Sequence, residues 1–272
     1  MNAAALSRTA LDVYRIATDR EVTVLAAAFA YYAFVSIVPT VVLALVVSSI
    51  VGGEAIAAVL VEGAGDAMPA VGVALIEEAL TAESGRAQAT IIALVVAVWG
   101  ALKVFRGLSM SFDRIYGTDA EKSFTGHLVD GLVALVAVAG GLAAMIGVGL
   151  FLGFAAAYVP FGNLLGLVGL LASLTLVFLP IYYVMPPVDV SIREVLPGVL
   201  FAAVGWTALQ IGFQFYASRA GQYEAYGAVG GILLLLTWLY LAGIVILFGA
   251  VVNVVWAESV AVTEEGAAER VA

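Results

Sequence analysis

The sequence predicts an all-α, polytopic membrane protein with six transmembrane helices, an N-terminal interfacial helix and an extracytoplasmic helical cap between spans 1 and 2. Three observations predict this class. Hydrophobic residues make up 64% of the chain and charged residues 11%, whereas a soluble domain carries about 25% charged residues. Uncharged runs of spanning length recur, the first being Val22–Val51, and ~20 helical residues suffice to cross a hydrocarbon core. Lysine and arginine fall almost entirely on one side of the resulting arrangement. The apolar length is shared among the spans, so one membrane domain, 22–257, is expected.

Residues 1–21 read as an amphipathic helix, lying at the cytoplasmic interface or packed under the bundle. Leu6, Ala10, Val13, Tyr14 and Ala17 lie on one side, and Arg8, Asp12, Arg15 and Asp19 on the other. The first span, about 22–51, is longer than a signal-peptide apolar region and reads as uncleaved. Tyr32, Ser36 and Thr40 recur at four-residue spacing, which puts them on one helical face. Pro39 beside them frees the carbonyl of Val35 and predicts a kink. Residues Gly52–Arg86 are broken by Glu54, Glu62, Asp66, Glu77, Glu78 and Glu83. Their short apolar runs suit a cap outside the bilayer or a re-entrant hairpin, and the cap is favoured because burying so many carboxylates is costly.

The second span is about 87–103, followed by a polar connection, Arg106–Gly126. The third is about 128–159 and glycine-rich, with Gly149 and Gly153 spaced for close helix packing. The fourth is about 163–184, ended by Pro186–Pro187. The fifth, about 195–217, puts Thr207, Gln210, Gln214 and Ser218 on one inward face. The sixth, about 227–255, opens with the Gly227/Gly231 pair and carries Gly249 and Asn253 one turn apart. Residues 258–272 read as an acidic disordered tail.

With six spans and a cytoplasmic N-terminus, nine of the 11 basic residues face the cytoplasm and only Arg86 and Arg219 lie outside. That bias predicts cytoplasmic termini in the plasma membrane. The chain is acidic, with net charge −9, poor in lysine, and of the kind expected from a salt-loving prokaryote. An acidic chain argues against nucleic acid as a partner. The expected partners are the lipid bilayer and a small-molecule or lipid substrate.

Enzyme chemistry finds little support in the residues. There is no cysteine, and the lone His127 beside Asp130 is a poor metal set that reads as an interfacial histidine. No phosphate-binding glycine loop, GxSxG elbow or HExxH helix occurs. No cofactor or metal is expected. What remains is intramembrane polarity: Tyr31, Tyr32, Ser36, Pro39, Gln210, Gln214 and Asn253 form a candidate polar pathway. Such groups either line a wet cavity or hydrogen-bond between helices to hold the bundle.

Three stretches carry a resemblance. They are LAAAFAYYAFVSIVP at Leu25–Pro39; Trp99, Phe105, Asp113 and Tyr116; and PPVDVSIREVLPG at Pro186–Gly198 with the block Tyr226–Asn253. On these the chain resembles the YihY/virulence factor BrkB family of six-span membrane proteins. The family usually has a glutamate after the final Gly-Ala, where this chain has Val251, with Asn253 nearby. Its older label, ribonuclease BN, finds no metal cluster or basic patch here. The resemblance and the residues together imply transport or export of a small molecule or envelope lipid. A non-transporting scaffold or envelope-assembly factor is the alternative.

Overall fold

Runs of Ala, Leu and Val with few helix breakers form helices whose backbone polar groups are satisfied internally, as lipid requires. The computed structural model describes residues 3–51, 86–117, 125–126, 129, 131–134, 136, 140–141, 162–220 and 227–268. Among these the structure is all helical, with no strand. The continuous helices are α1 (Ala3–Asp19), α2 (Val22–Val51), α3 (Arg86–Tyr116), α4 (Gly162–Val184), α5 (Ile192–Ala220) and α6 (Gly227–Ala268). The expected cap, most of the third span, the Gly149/Gly153 pair, His127 and Asp130 lie outside the described residues.

Three stretches are long and apolar enough to cross a membrane: Gly166–Val184, Ile192–Tyr216 and Val229–Ser259. Taking Thr9–Asp19 and Val22–Ile37 as one broken span makes four. About two thirds or more of each is not buried within the protein, with only 28–33% covered. Val204, Ile211, Phe215 and Leu233 are among the large apolar side chains turned outward. In water such faces would be untenable, and in lipid they are solvated.

Two boundaries differ from the sequence expectation. The polar connection expected from Arg106 is helical as far as Tyr116. A helix outlasts its apolar run where the later turns bury one face, and Leu108, Phe112 and Ile115 are buried at helical spacing. The tail expected to be disordered from 258 continues α6 to Ala268. Its alanines and glutamates are good helix formers, and a preformed helix extends without a new nucleus.

The chain divides into two compact units. Unit 1 comprises Met1–Leu25, Leu108–Thr207 and Ile244–Ala272; unit 2 comprises Ala26–Gly107 and Ala208–Gly243. Unit 1 is built on a close crossing of α5 and α6. A Cβ on Gly198 would collide with the Gly249 carbonyl and the Asn253 amide, and one on Gly249 with the Tyr182 hydroxyl. Only glycine permits this backbone approach. The Gly198 N–H of α5 donates to Asn253 Oδ1 of α6 across it at 2.6 Å, and the Tyr182 hydroxyl of α4 donates to the Ile246 carbonyl of α6 beside it at 2.6 Å. The Phe112 ring lies 5.7 Å from that of Tyr182 and 6.3 Å from that of Tyr116.

The two helix ends beside this core are finished by specific chemistry. Ser191 and Glu194 cap α5 reciprocally: the Ser191 N–H donates to Glu194 Oε2 at 2.9 Å, and the Glu194 N–H faces Ser191 Oγ at 3.4 Å. Gly117 closes α3 at φ 71°, a conformation that favours glycine, and the Arg20 guanidinium packs over it. Glu21 (φ 53°) makes the corner between α1 and α2, and Arg114 binds its carboxylate at 2.9 Å.

In unit 2, Ala30 of α2 packs with Leu235 and Leu239 of α6, flanked by Phe34, Ile37 and Trp238. One turn from that cluster, Ser36 ties α2 to the backbone of α3.

Candidate functional site

The sequence-predicted polar residues divide between the two units. In unit 2, Ser36 is buried and its hydroxyl lies 2.7 Å from the Tyr32 carbonyl and 2.9 Å from the Gly100 carbonyl of α3. A Ser side chain bonded to its i−4 carbonyl and to a neighbouring helix joins α2 to α3. Tyr31 and Tyr32 are exposed with their rings edge-on at 5.7 Å, and the Tyr32 ring lies against Gly107. Pro39 sits inside α2, which stays helical through it. Gln210 is half-buried on α5 and engaged in an interaction, while Gln214 one turn on is exposed. Gly227 and Gly231 occupy the first turns of α6.

Asn253 belongs to unit 1, and there it opens onto a cavity of about 340 Å³. The Pro186–Pro187 loop, the start of α5, the end of α3 and α6 beyond Gly249 build this cavity. Its walls are Val188, Val190, Val195, Val254 and Ala257. Asp189, Glu194 and Glu258 also line it, and all three are exposed at its rim.

Two buried polar atoms face this space without a well-formed hydrogen bond: the Tyr116 hydroxyl and Asn253 Nδ2. Asn253 is 2% exposed, and its Oδ1 is committed to Gly198. The Tyr116 phenol is pushed up to about 12, chiefly by burial, with the Asn253 side chain offsetting part and the Glu194 charge adding to the rise. It therefore stays a neutral O–H donor at physiological pH. The arrangement can bind and orient a polar ligand. Among the described residues no three His, Asp or Glu side chains converge to hold a metal ion.

Tyr116, Asp189, Glu194 and Glu258 were not among the residues expected to form a polar site. Tyr116 stood out only through the family resemblance. The capping signature Ser191–Glu194 was the signal that could have marked the helix start beside the cavity.

A chain whose described residues are helical and include three helices long and apolar enough to cross a membrane is of the multi-pass membrane class. Comparison with known families places it further: the virulence factor BrkB family model matches residues 13–272, and the chain belongs to that family. Relatives include the ribonuclease-like protein YfkH of Bacillus subtilis, 42% identical over 29% of this chain and 30% of its own length. A UPF0761 membrane protein of Pseudoalteromonas translucida is 38% identical over 37% of this chain and 30% of its own. One of Tolumonas auensis is 38% identical over 33% and 30%. The chain thus covers about a third of the length of these curated relatives. No solved structure matches it.

Proposed function

We propose that this protein moves a small molecule or an envelope lipid across the plasma membrane. The reading takes six spans, both termini cytoplasmic, and an extracytoplasmic cap between spans 1 and 2. The observation that carries it is the unit 1 cavity, where the buried polar atoms of Tyr116 and Asn253 lie among apolar walls without a well-formed hydrogen bond. Intramembrane or interfacial polar groups without protein partners are costly unless a ligand or water meets them. With cytoplasmic termini, the loop 186–191 and the end of α6 are both on the cytoplasmic side, so the cavity is an inner-facing station. The polar residues Tyr31, Tyr32, Ser36, Pro39, Gln210 and Gln214 are taken as part of the route, with Gly149/Gly153 and Gly227/Gly231 as helix-packing positions.

The ribonuclease-like name of the Bacillus relative is not carried over, because a chain of net charge −9 repels a polyphosphate. The test is reconstitution into proteoliposomes with a panel of solutes and labelled lipids, comparing wild type with Ser36→Ala and Gln210→Leu. Protein-dependent flux that falls in either variant supports the reading. Flux equal to protein-free vesicles for the whole panel sinks transport and favours an assembly role.

A further inference from the structure

The unit 1 cavity makes three demands on a ligand. Its lining offers donors: the Tyr116 O–H and the Asn253 amide, a side chain 2% exposed that is held through Oδ1 by Gly198 and also meets the Tyr116 hydroxyl. Donors of this kind seek an oxygen acceptor. Its rim carries Asp189, Glu194 and Glu258, which attract positive charge and repel an anion. Its walls are valines and an alanine, suited to a short hydrocarbon link between those two ends. Among the described residues no three acidic or histidine groups converge to hold a metal ion. The rim therefore suits an organic cation rather than a bare divalent ion. The volume of about 340 Å³ is at the small end of ligand sites.

We propose that this cavity binds a small organic ammonium that also carries an oxygen acceptor, the chemistry of an amino alcohol. The oxygen sits at Tyr116 and Asn253, and the ammonium sits among Asp189, Glu194 and Glu258. The inference deepens the transport reading and rests on it for any step after binding. A free amino alcohol and the headgroup of phosphatidylethanolamine share this chemistry.

The test is calorimetric titration of the full-length protein in detergent with ethanolamine, and with ethanol and ethylamine as probes lacking one end each. Ethanolamine binds, and each truncated probe binds about ten-fold more weakly or worse, the worth of one buried polar contact. Tyr116→Phe, which keeps the ring, weakens ethanolamine about ten-fold. The rim triple variant Asp189→Asn, Glu194→Gln, Glu258→Gln does the same and removes the salt dependence of binding. Gln at 194 retains the cap of α5, so this variant carries the test should Tyr116→Phe fail to fold. Asn253→Asp keeps the oxygen that holds Gly198 but replaces the donors, and it also loses ethanolamine. Equal binding of all three probes, or of ethanolamine to all folded variants, overturns the proposal. In nanodiscs, loss of ethanolamine binding with phosphatidylethanolamine but not phosphatidylcholine assigns the lipid headgroup as source; equal binding in both assigns the free solute. Ethanolamine binding without flux overturns transport and leaves the ligand class standing. Flux of another solute without ethanolamine binding does the reverse.

Discussion

Gly198 and Gly249 set how closely α5 and α6 approach, and the residues around them convert that approach into a fixed register. The Tyr182 hydroxyl of α4 donates to the Ile246 carbonyl of α6, and the Asn253 amide oxygen of α6 accepts from the Gly198 N–H of α5. Gly198→Ala forces its new Cβ into the Gly249 carbonyl, so the backbones must part. The expected loss is ~1–3 kcal/mol, the usual cost of overpacking. Tyr182→Phe keeps the ring against Phe112 and loses one buried hydrogen bond, worth about 1 kcal/mol. Melting in detergent should therefore rank wild type above Tyr182→Phe, and that above Gly198→Ala. A Gly198→Ala protein as stable as wild type would mean that the close crossing does not hold the core together. The crossing was not legible in the sequence. Spacing within one helix flagged Gly149/Gly153 and Gly227/Gly231, whereas a close approach depends on which glycines of two different helices meet. Gly249 and Asn253 are one turn apart on their helix, but their partner Gly198 lies 55 positions from Asn253 in the chain.

At the level of elements, the helices themselves were plain in the apolar runs, and α4 and α5 begin and end close to the expected positions. The ends of α3 and α6 were not, because hydropathy reports where lipid contact stops rather than where the helix stops. Leu108, Phe112 and Ile115 carry α3 onward by burying one face after its uncharged stretch is over. That extension brings Tyr116 to the cavity, so the same misread boundary hid a cavity residue. The start of α5 is where an element prediction is sharpest. Ser191→Ala removes one side of the reciprocal cap and should cost about 1 kcal/mol, while Glu194→Gln should be nearly silent, since an amide caps as well. Thermal melting of the two variants distinguishes them, and equal destabilisation would show that Glu194 matters for its charge rather than for the cap. The Arg114–Glu21 pair, with both side chains more than half exposed, holds the α1–α2 corner with little net energy.

For the whole molecule, membership of the BrkB family and the outward apolar faces establish where the chain resides, and the cavity supports what it does there. Composition alone revealed the class, because 11% charge leaves too few polar groups to cover a soluble domain. It could not reveal the cavity, whose lining comes from the end of α3, the loop before α5 and the end of α6. The central claim is that this cavity faces the cytoplasm and receives the transported solute. The chain has no cysteine, so Ala257→Cys on the cavity wall places a single reactive thiol there. Its labelling by a membrane-impermeant maleimide, in inside-out and right-side-out vesicles with and without ethanolamine, tests that claim most directly. Rapid labelling in inside-out vesicles only, slowed by ethanolamine, is the predicted result. Labelling from the outer face alone, or at a rate indifferent to ethanolamine, would contradict it.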